Sequence, residues 1–163
     1  MAAESLEKSE GSEGTAVKWQ AKKSAMTRAR ILDAAIDCFI KFGFNKLTNV
    51  NVAEMAGISP GAMRHHFSSK KVLIQAAVEY LHEKLLASYL DHVGSVSDSL
   101  PRKARFRARL DAYWRYINTD LFRVYRRLFM VAETEPALKE LLRKSVKDFE
   151  YHARKSLVNF FDE

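Results

Sequence analysis

Between Leu47 and Ile74 the apolar positions fall into two short helical stretches and the opening of a third, divided by residues that stop and restart helices. Thr48 or Asn49 can cap a helix holding Val50 in its first turn, with an inner face continuing through Val52, Ala53 and Ala56. Gly57 stands just past the last periodic residue, where a glycine accepts positive φ without a Cβ clash. Ser59 follows as an N-cap with Pro60 at the first helical position, so a second helix, Pro60 to about His66, starts at a large angle to the first. It buries Met63 and Phe67 and carries Gly61, Ala62, Arg64, His65 and His66. Small residues at its start allow close approach to a groove or a phosphate. Ser68 or Ser69 caps the next helix, whose first turn holds Lys70 and Lys71; lysines there oppose the helix dipole and are better explained by an outside anion. The pattern predicts a helix-turn-helix of the kind that reads DNA, centred on about 47–66.

The remaining periodicity is also helical. A first helix is expected from about Thr27 to Phe42, with Ile31, Ala35, Cys38, Phe39 and Phe42 as its inner stripe and Gly43 as its stop. Residues 1–21, rich in Glu, Ser, Gly and Ala, show no such stripe and read as a disordered tail with Trp19 as its one anchor. A long helix from about Ser69 to Val93 carries Leu73, Ala76, Ala77, Tyr80, Leu81 and Leu85 inward, and 94–100 form a polar loop ending at Pro101. Phe106, Leu110, Tyr113, Trp114, Ile117 and Leu121 then recur every three or four residues, predicting a helix with an aromatic inner face. Another is expected from about Phe122 to Ala132, and a last one from near Pro136 to the chain end. The fold class is all-α.

The residues at the front of this pattern resemble the TetR-type (TetR/AcrR) family of bacterial transcriptional regulators. The resemblance begins at Arg30, Ile31, Leu32, Ala34, Ala35 and Phe39, and passes through Gly43, Phe44, Thr48, Val50, Ala53, Ala56 and Gly57. It ends at Ile58, Ser59, Gly61, His66, Phe67, Lys70 and Leu73. Two positions depart from the family: Arg64 stands where a phosphate-touching tyrosine is usual, and Asn49 where a second threonine is usual. Both can still donate to phosphate. The resemblance implies a three-helix DNA-binding domain over 22–84, joined by a long helix to a helical ligand-binding and dimerisation domain over 85–163. It implies Thr48, Asn49, Ser59, Pro60, Gly61, Ala62, Arg64, His65, His66 and Lys70 at the DNA, with the second helix of the motif in the major groove. It further implies a homodimeric repressor on a pseudo-palindromic operator of double-stranded DNA, with half-sites about 34 Å apart or a multiple of it, released by an unknown small-molecule effector. TetR-like chains usually continue with two further helices that build the dimer interface, so the C-terminal domain is expected to be short; Tyr151, Phe160 and Phe161 would suit an interface or a core. The competing reading is a helical protein- or RNA-interaction module on the same scaffold. It would lack the basic and small residues that the motif's second helix retains.

Composition changes the picture only modestly. The net charge of +7 favours a polyanionic partner, but the basic excess is spread: residues 22–93 carry ten Lys or Arg against six acids, and 101–163 carry fifteen against nine. Lys22, Lys23, Arg28 and Arg30 could track the DNA backbone or form a solvated charge run. Arg102, Arg105 and Arg109 lie on one helix face, read as solvated, with an acidic ligand or partner as the alternative. Cys38, the only cysteine, excludes an intrachain disulfide and is expected as a packed thiol, the alternative being a redox sensor. No apolar run of about eighteen residues and no signal-peptide core is present, so a cytoplasmic protein is expected, without membrane association. Adjacent His65 and His66 cannot share a helix side, and Glu79 with His82 lacks a second copy of its spacing and reads as a surface pair, so no metal site is expected. No phosphate loop, paired-cysteine motif or nucleophile elbow occurs, so neither a cofactor nor an enzymatic activity is expected. Tyr113, Trp114, Phe122, Tyr125 and Phe129 are the candidates for lining an effector cavity; aromatic residues at helical spacing are otherwise core.

Overall fold

The computed structural model describes residues 3–143 and Lys147, with side chains from Lys18 onward, and every regular element among them is helical. Helix α1 spans Ala3–Phe42. It therefore takes in most of the stretch expected as a disordered tail, and the helix predicted from Thr27 is the rear part of a longer one. The chain before Thr27 carries Ala, Glu and Lys, which favour a helix, among serines and two glycines, which do not, and it has no proline to break one. Trp19 anchors nothing: it is exposed, with the Lys23 ammonium 5.2 Å from its ring centre. From Ile31 onward the helix packs, and Ile31, Ala35, Cys38 and Phe39 are buried as their spacing predicts. Phe42 is not, at 58 % exposed. Gly43, at φ 78°, turns the chain into a short 3-10 turn at Phe44–Lys46, and it is Leu47, buried beside Phe39, that closes this end of the core.

Helix α2 is Asn49–Ala56, α3 is Pro60–His66 and α4 is Lys70–His92. Leu73, Ala77, Leu81 and Leu85 of α4 are buried, and Asp33 of α1 receives both the Lys84 ammonium at 2.6 Å and the Tyr80 hydroxyl at 3.3 Å. These bonds fix α4 against α1 at the surface while the apolar residues fix it beneath.

Helix α5 spans Arg102–Ile117 and α6 spans Asp120–Ala132; residues 136–143 are helical again. The inner face of α5 is rotated from the expected one. Ala112 and Tyr116 are buried, while Phe106, Leu110, Tyr113 and Trp114 are exposed. On the rotated helix the Arg109 guanidinium meets the Asp98 carboxylate of the preceding loop at 2.6 Å, and Arg105 donates to the Asp98 carbonyl at 3.0 Å. The arginine stripe expected to face solvent thus anchors the 94–100 loop through two of its members, and only Arg102 is fully exposed.

Helix α4 has α1 on one side and α5 and α6 on the other, so it is buried on two faces. His82, expected as a surface partner of Glu79, lies under the second of these faces with 7 % of its surface exposed, whereas Glu79 is exposed. No helix among the described residues is long and apolar enough to cross a membrane. Tyr151, Phe160 and Phe161 lie outside the described residues.

Candidate nucleic-acid interface

The site is built on a helix of seven residues, α3, which is far too short to be stable alone. Its position comes from its neighbours. Thr48 caps α2 by accepting from the Asn51 N–H at 3.2 Å. Gly57 takes the left-handed conformation at φ 62°, ψ 43° and sends its N–H back to the carbonyls of α2, which ends that helix and reverses the chain. The Ser59 hydroxyl then accepts from the Ala62 N–H at 3.2 Å, and Pro60 fills the first helical position. Met63 and Phe67, at 2 % and 0 % exposed, pin α3 into the core as their spacing predicts, whereas Val50, expected on the inner face of α2, is exposed.

Asn49 departs from its expected role at phosphate. Its Nδ2 donates to the Phe67 carbonyl at 3.0 Å, tying the start of α2 to the residue that caps α3, and its Oδ1 is buried. One of its amide N–H groups thus holds the two helices of the motif together. Arg28 contributes in a similar way, its guanidinium lying 4.6 Å from the centre of the Phe67 ring. Sequence spacing places Arg28 in a basic cluster but gives no sign of this stacking.

What α3 shows to solvent is the other half of its circumference. Pro60, Gly61, Arg64 and His65 are exposed, with Ala62 and His66 half-buried at the edges of the face. Ser59 and Lys70 flank it and are exposed, and Thr48 is half-buried with its hydroxyl proton still available. The rings of His65 and His66 meet edge to face with centres 5.5 Å apart. Burial, then the neighbouring His65 and Arg28 charges, push the His66 imidazole below its ordinary pKa, so at neutral pH it offers a hydrogen bond rather than a charge. The Lys70 ammonium lies 5.1 Å from the Phe44 ring centre, at the first turn of α4, which Ser69 caps. One face thus combines two cations, two imidazoles, hydroxyls and a nearly side-chain-free helix start. Such a surface can engage phosphate oxygens and base edges together.

The expected effector residues are only partly brought together. Phe122, Tyr125 and Phe129 are half-buried in a run of tilted and edge-on rings, with centres 5.8 Å and 4.7 Å apart, that continues to the buried Tyr116 at one end and to His82 at the other. Tyr113 touches the cluster through Tyr116 at 6.2 Å, and Trp114 is turned out at 65 % exposed. Tyr116 is the cluster's centre. Its hydroxyl is buried without a hydrogen-bond partner among the described residues, and burial raises its pKa well above the ordinary phenol value.

Cys38 is fully buried, with its thiol 3.4 Å from the Lys46 carbonyl and its pKa raised by burial, as a packed thiol requires.

Residues 31–77, from the buried stripe of α1 to the first half of α4, match the sequence model of the bacterial regulatory proteins of the tetR family. Over 73 residues the chain is 40% identical to the HTH-type transcriptional regulator TtgR of Pseudomonas putida, a span covering 45% of this chain and 32% of that protein. Over 70 residues it is 37% identical to the HTH-type transcriptional regulator UidR of Escherichia coli K12, covering 43% and 36%. These matches span about a third of the two relatives' own length. A TetR-family transcriptional regulator from Haemophilus influenzae shares the fold with a TM-score of 0.56 at 17% identity, over 84% of this chain and 73% of that one. The helix-turn-helix geometry and the match across residues 31–77 together place a TetR-type helix-turn-helix region in this chain.

Proposed function

We propose that the chain is a cytoplasmic, sequence-specific regulator of transcription that lays α3 into the major groove of double-stranded DNA. The observation that carries this reading is the division of α3 into two faces, Met63 with the adjoining Phe67 in the core and Pro60, Gly61, Arg64 and His65 in solvent. Arg64, Lys70, Ser59 and the Thr48 hydroxyl would hold phosphates, while Gly61, Ala62, His65 and His66 would meet base edges. Asn49 would act indirectly, by keeping α3 at its angle. Similarity to TetR-family regulators over residues 31–77 supports the further reading that residues 22–84 form the DNA-binding domain and 85–163 a regulatory and dimerisation domain. On that reading two copies bind a pseudo-palindromic operator as a repressor, and a small-molecule effector, held near Phe122, Tyr125 and Phe129, moves the DNA heads through α4.

The test is sedimentation of the full chain alone and with duplexes selected from a randomised library, at two salt concentrations. A dimer that selects half-sites about 34 Å apart, or a multiple of it, with steep salt dependence is the expected result. A monomer with weak, sequence-blind binding would overturn it.

A further inference from the structure

We infer that a second cleft, where the first turns of α4 face residues 137–141, binds a small amphipathic anion, an apolar chain or ring bearing one carboxylate, and that this ligand competes with DNA for Lys70. The cleft encloses about 770 Å³, within the usual range of small-molecule sites. It shares no residue with the aromatic cluster around Tyr116. Ile74, Val78, Leu138 and Leu141 give it an apolar lining, and Lys70 and Lys71 stand at the α4 N-terminal end. Glu79 lies nine residues further along α4, about 13 Å away at 1.5 Å per residue.

Charge decides the class of ligand. Glu79 accepts from the Gln75 amide at 3.1 Å, and Glu140 is held by the Arg143 guanidinium at 2.8 and 3.1 Å. Both acids lining the cleft therefore have partners. Lys71 has no ion pair or hydrogen bond among the described residues, and Lys70 rests only on the Phe44 ring. With Glu140 paired to Arg143, the cleft keeps two cations at one end against the single carboxylate charge of Glu79 further along, and the cationic end of its apolar wall fits a carboxylate head with a hydrocarbon body. Lys70 also borders the proposed DNA face. One ammonium cannot serve a ligand carboxylate and a DNA phosphate equally, so ligand and DNA weaken each other's binding by the same factor. The competition rests on the DNA contact proposed for Lys70; the binding site does not.

Calorimetric titration of the full chain with decanoate, octanoate and decylamine, each below its aggregation concentration, tests the site. Decanoate is expected to bind at least tenfold more tightly than decylamine. Octanoate should bind about tenfold or more weakly than decanoate, since two buried methylenes are lost. Lys71→Gln should cost about tenfold, and Gln75→Trp, at an exposed position lining the cleft, should abolish binding while circular dichroism stays unchanged. Equal binding of decylamine, or indifference to both substitutions, would overturn the site. Decanoate should also weaken DNA binding, and Gln75→Trp, which abolishes decanoate binding, should remove that effect; DNA binding unmoved by saturating decanoate would overturn the competition. A chain that binds decanoate as described but no DNA keeps the site and loses the regulator reading, whereas one that binds its operator but no decanoate loses the site alone.

Discussion

Lowering the pH from 7 to 5 should remove about 2 kcal/mol of folding stability through His82 alone. This imidazole is buried in α4 with its ring 5.4 Å from that of Tyr125, and burial pushes its pKa from 6.5 down to about 4. The sign follows from which state takes up the proton. As pH falls through about 6.5 the unfolded chain protonates this histidine while the folded chain keeps it neutral, so the folded state loses ground until about pH 4. The full difference is about 3 kcal/mol, and about 2 kcal/mol of it falls between pH 7 and 5. Urea denaturation at pH 7, 6 and 5, at one protein concentration, should show the midpoint moving down by about 1 M through this residue. His82→Leu, which keeps an apolar side chain in place and cannot titrate, should lose about 2 kcal/mol less than the parent over the same interval. Every other titrating group is common to both proteins and cancels in the comparison. Equal losses in parent and variant would show that the buried imidazole is not the source.

Lys70→Ala should weaken binding to specific and random DNA alike and flatten the dependence of log affinity on log salt by about one, measured by fluorescence anisotropy at several salt concentrations; an unchanged slope would remove Lys70 from the phosphate contacts. Gly57→Ala should cost about 1 to 2 kcal/mol in chemical denaturation, because φ 62° is strained for alanine although nothing stands within 4 Å of the added Cβ. A neutral result would mean the turn relaxes. Asn49→Ala, which removes the bond to the Phe67 carbonyl, should destabilise by about 1 to 2 kcal/mol; thermal melts with no change would deny the tie its structural role. Cys38 should react with a chromogenic disulfide reagent only through opened states of the chain, far more slowly in buffer than in denaturing urea at the same pH.

The motif itself was legible because its determinants are local. Thr48, Gly57, Ser59 and Pro60 each act on backbone within a few residues, so the ends of α2 and α3 could be placed from residue type alone. The burial of Met63 and Phe67 follows from spacing on a helix whose two ends were already known. Features set by distant parts of the chain could not be read in this way. The bond from Asn49 reaches a residue 18 positions away, and a side chain equally suited to phosphate carries no sign of it. The rotation of α5 brings Arg105 and Arg109 to Asp98 of the preceding loop and runs against an apolar periodicity that pointed to Phe106, Leu110 and Trp114. His82 looks like a surface residue when α4 is given one buried face and becomes interior only when α5 and α6 cover a second. The early start of α1 went unread because residues 3–26 form no apolar stripe and include Gly11 and Gly14.

The two-sided construction of α3 separates what must stay from what can change. Met63, Phe67 and the caps that frame the helix all act from beneath or from its ends, and none of the side chains at Pro60, Gly61, Arg64 or His65 is buried. Exchanges at Gly61, Arg64 and His65 therefore alter what the surface recognises while leaving the folding free energy within the small range typical of exposed positions. Duplicated copies of such a chain can drift to new target sequences through individually tolerated steps, each intermediate remaining folded, as replaceable type is reset in a frame that does not move.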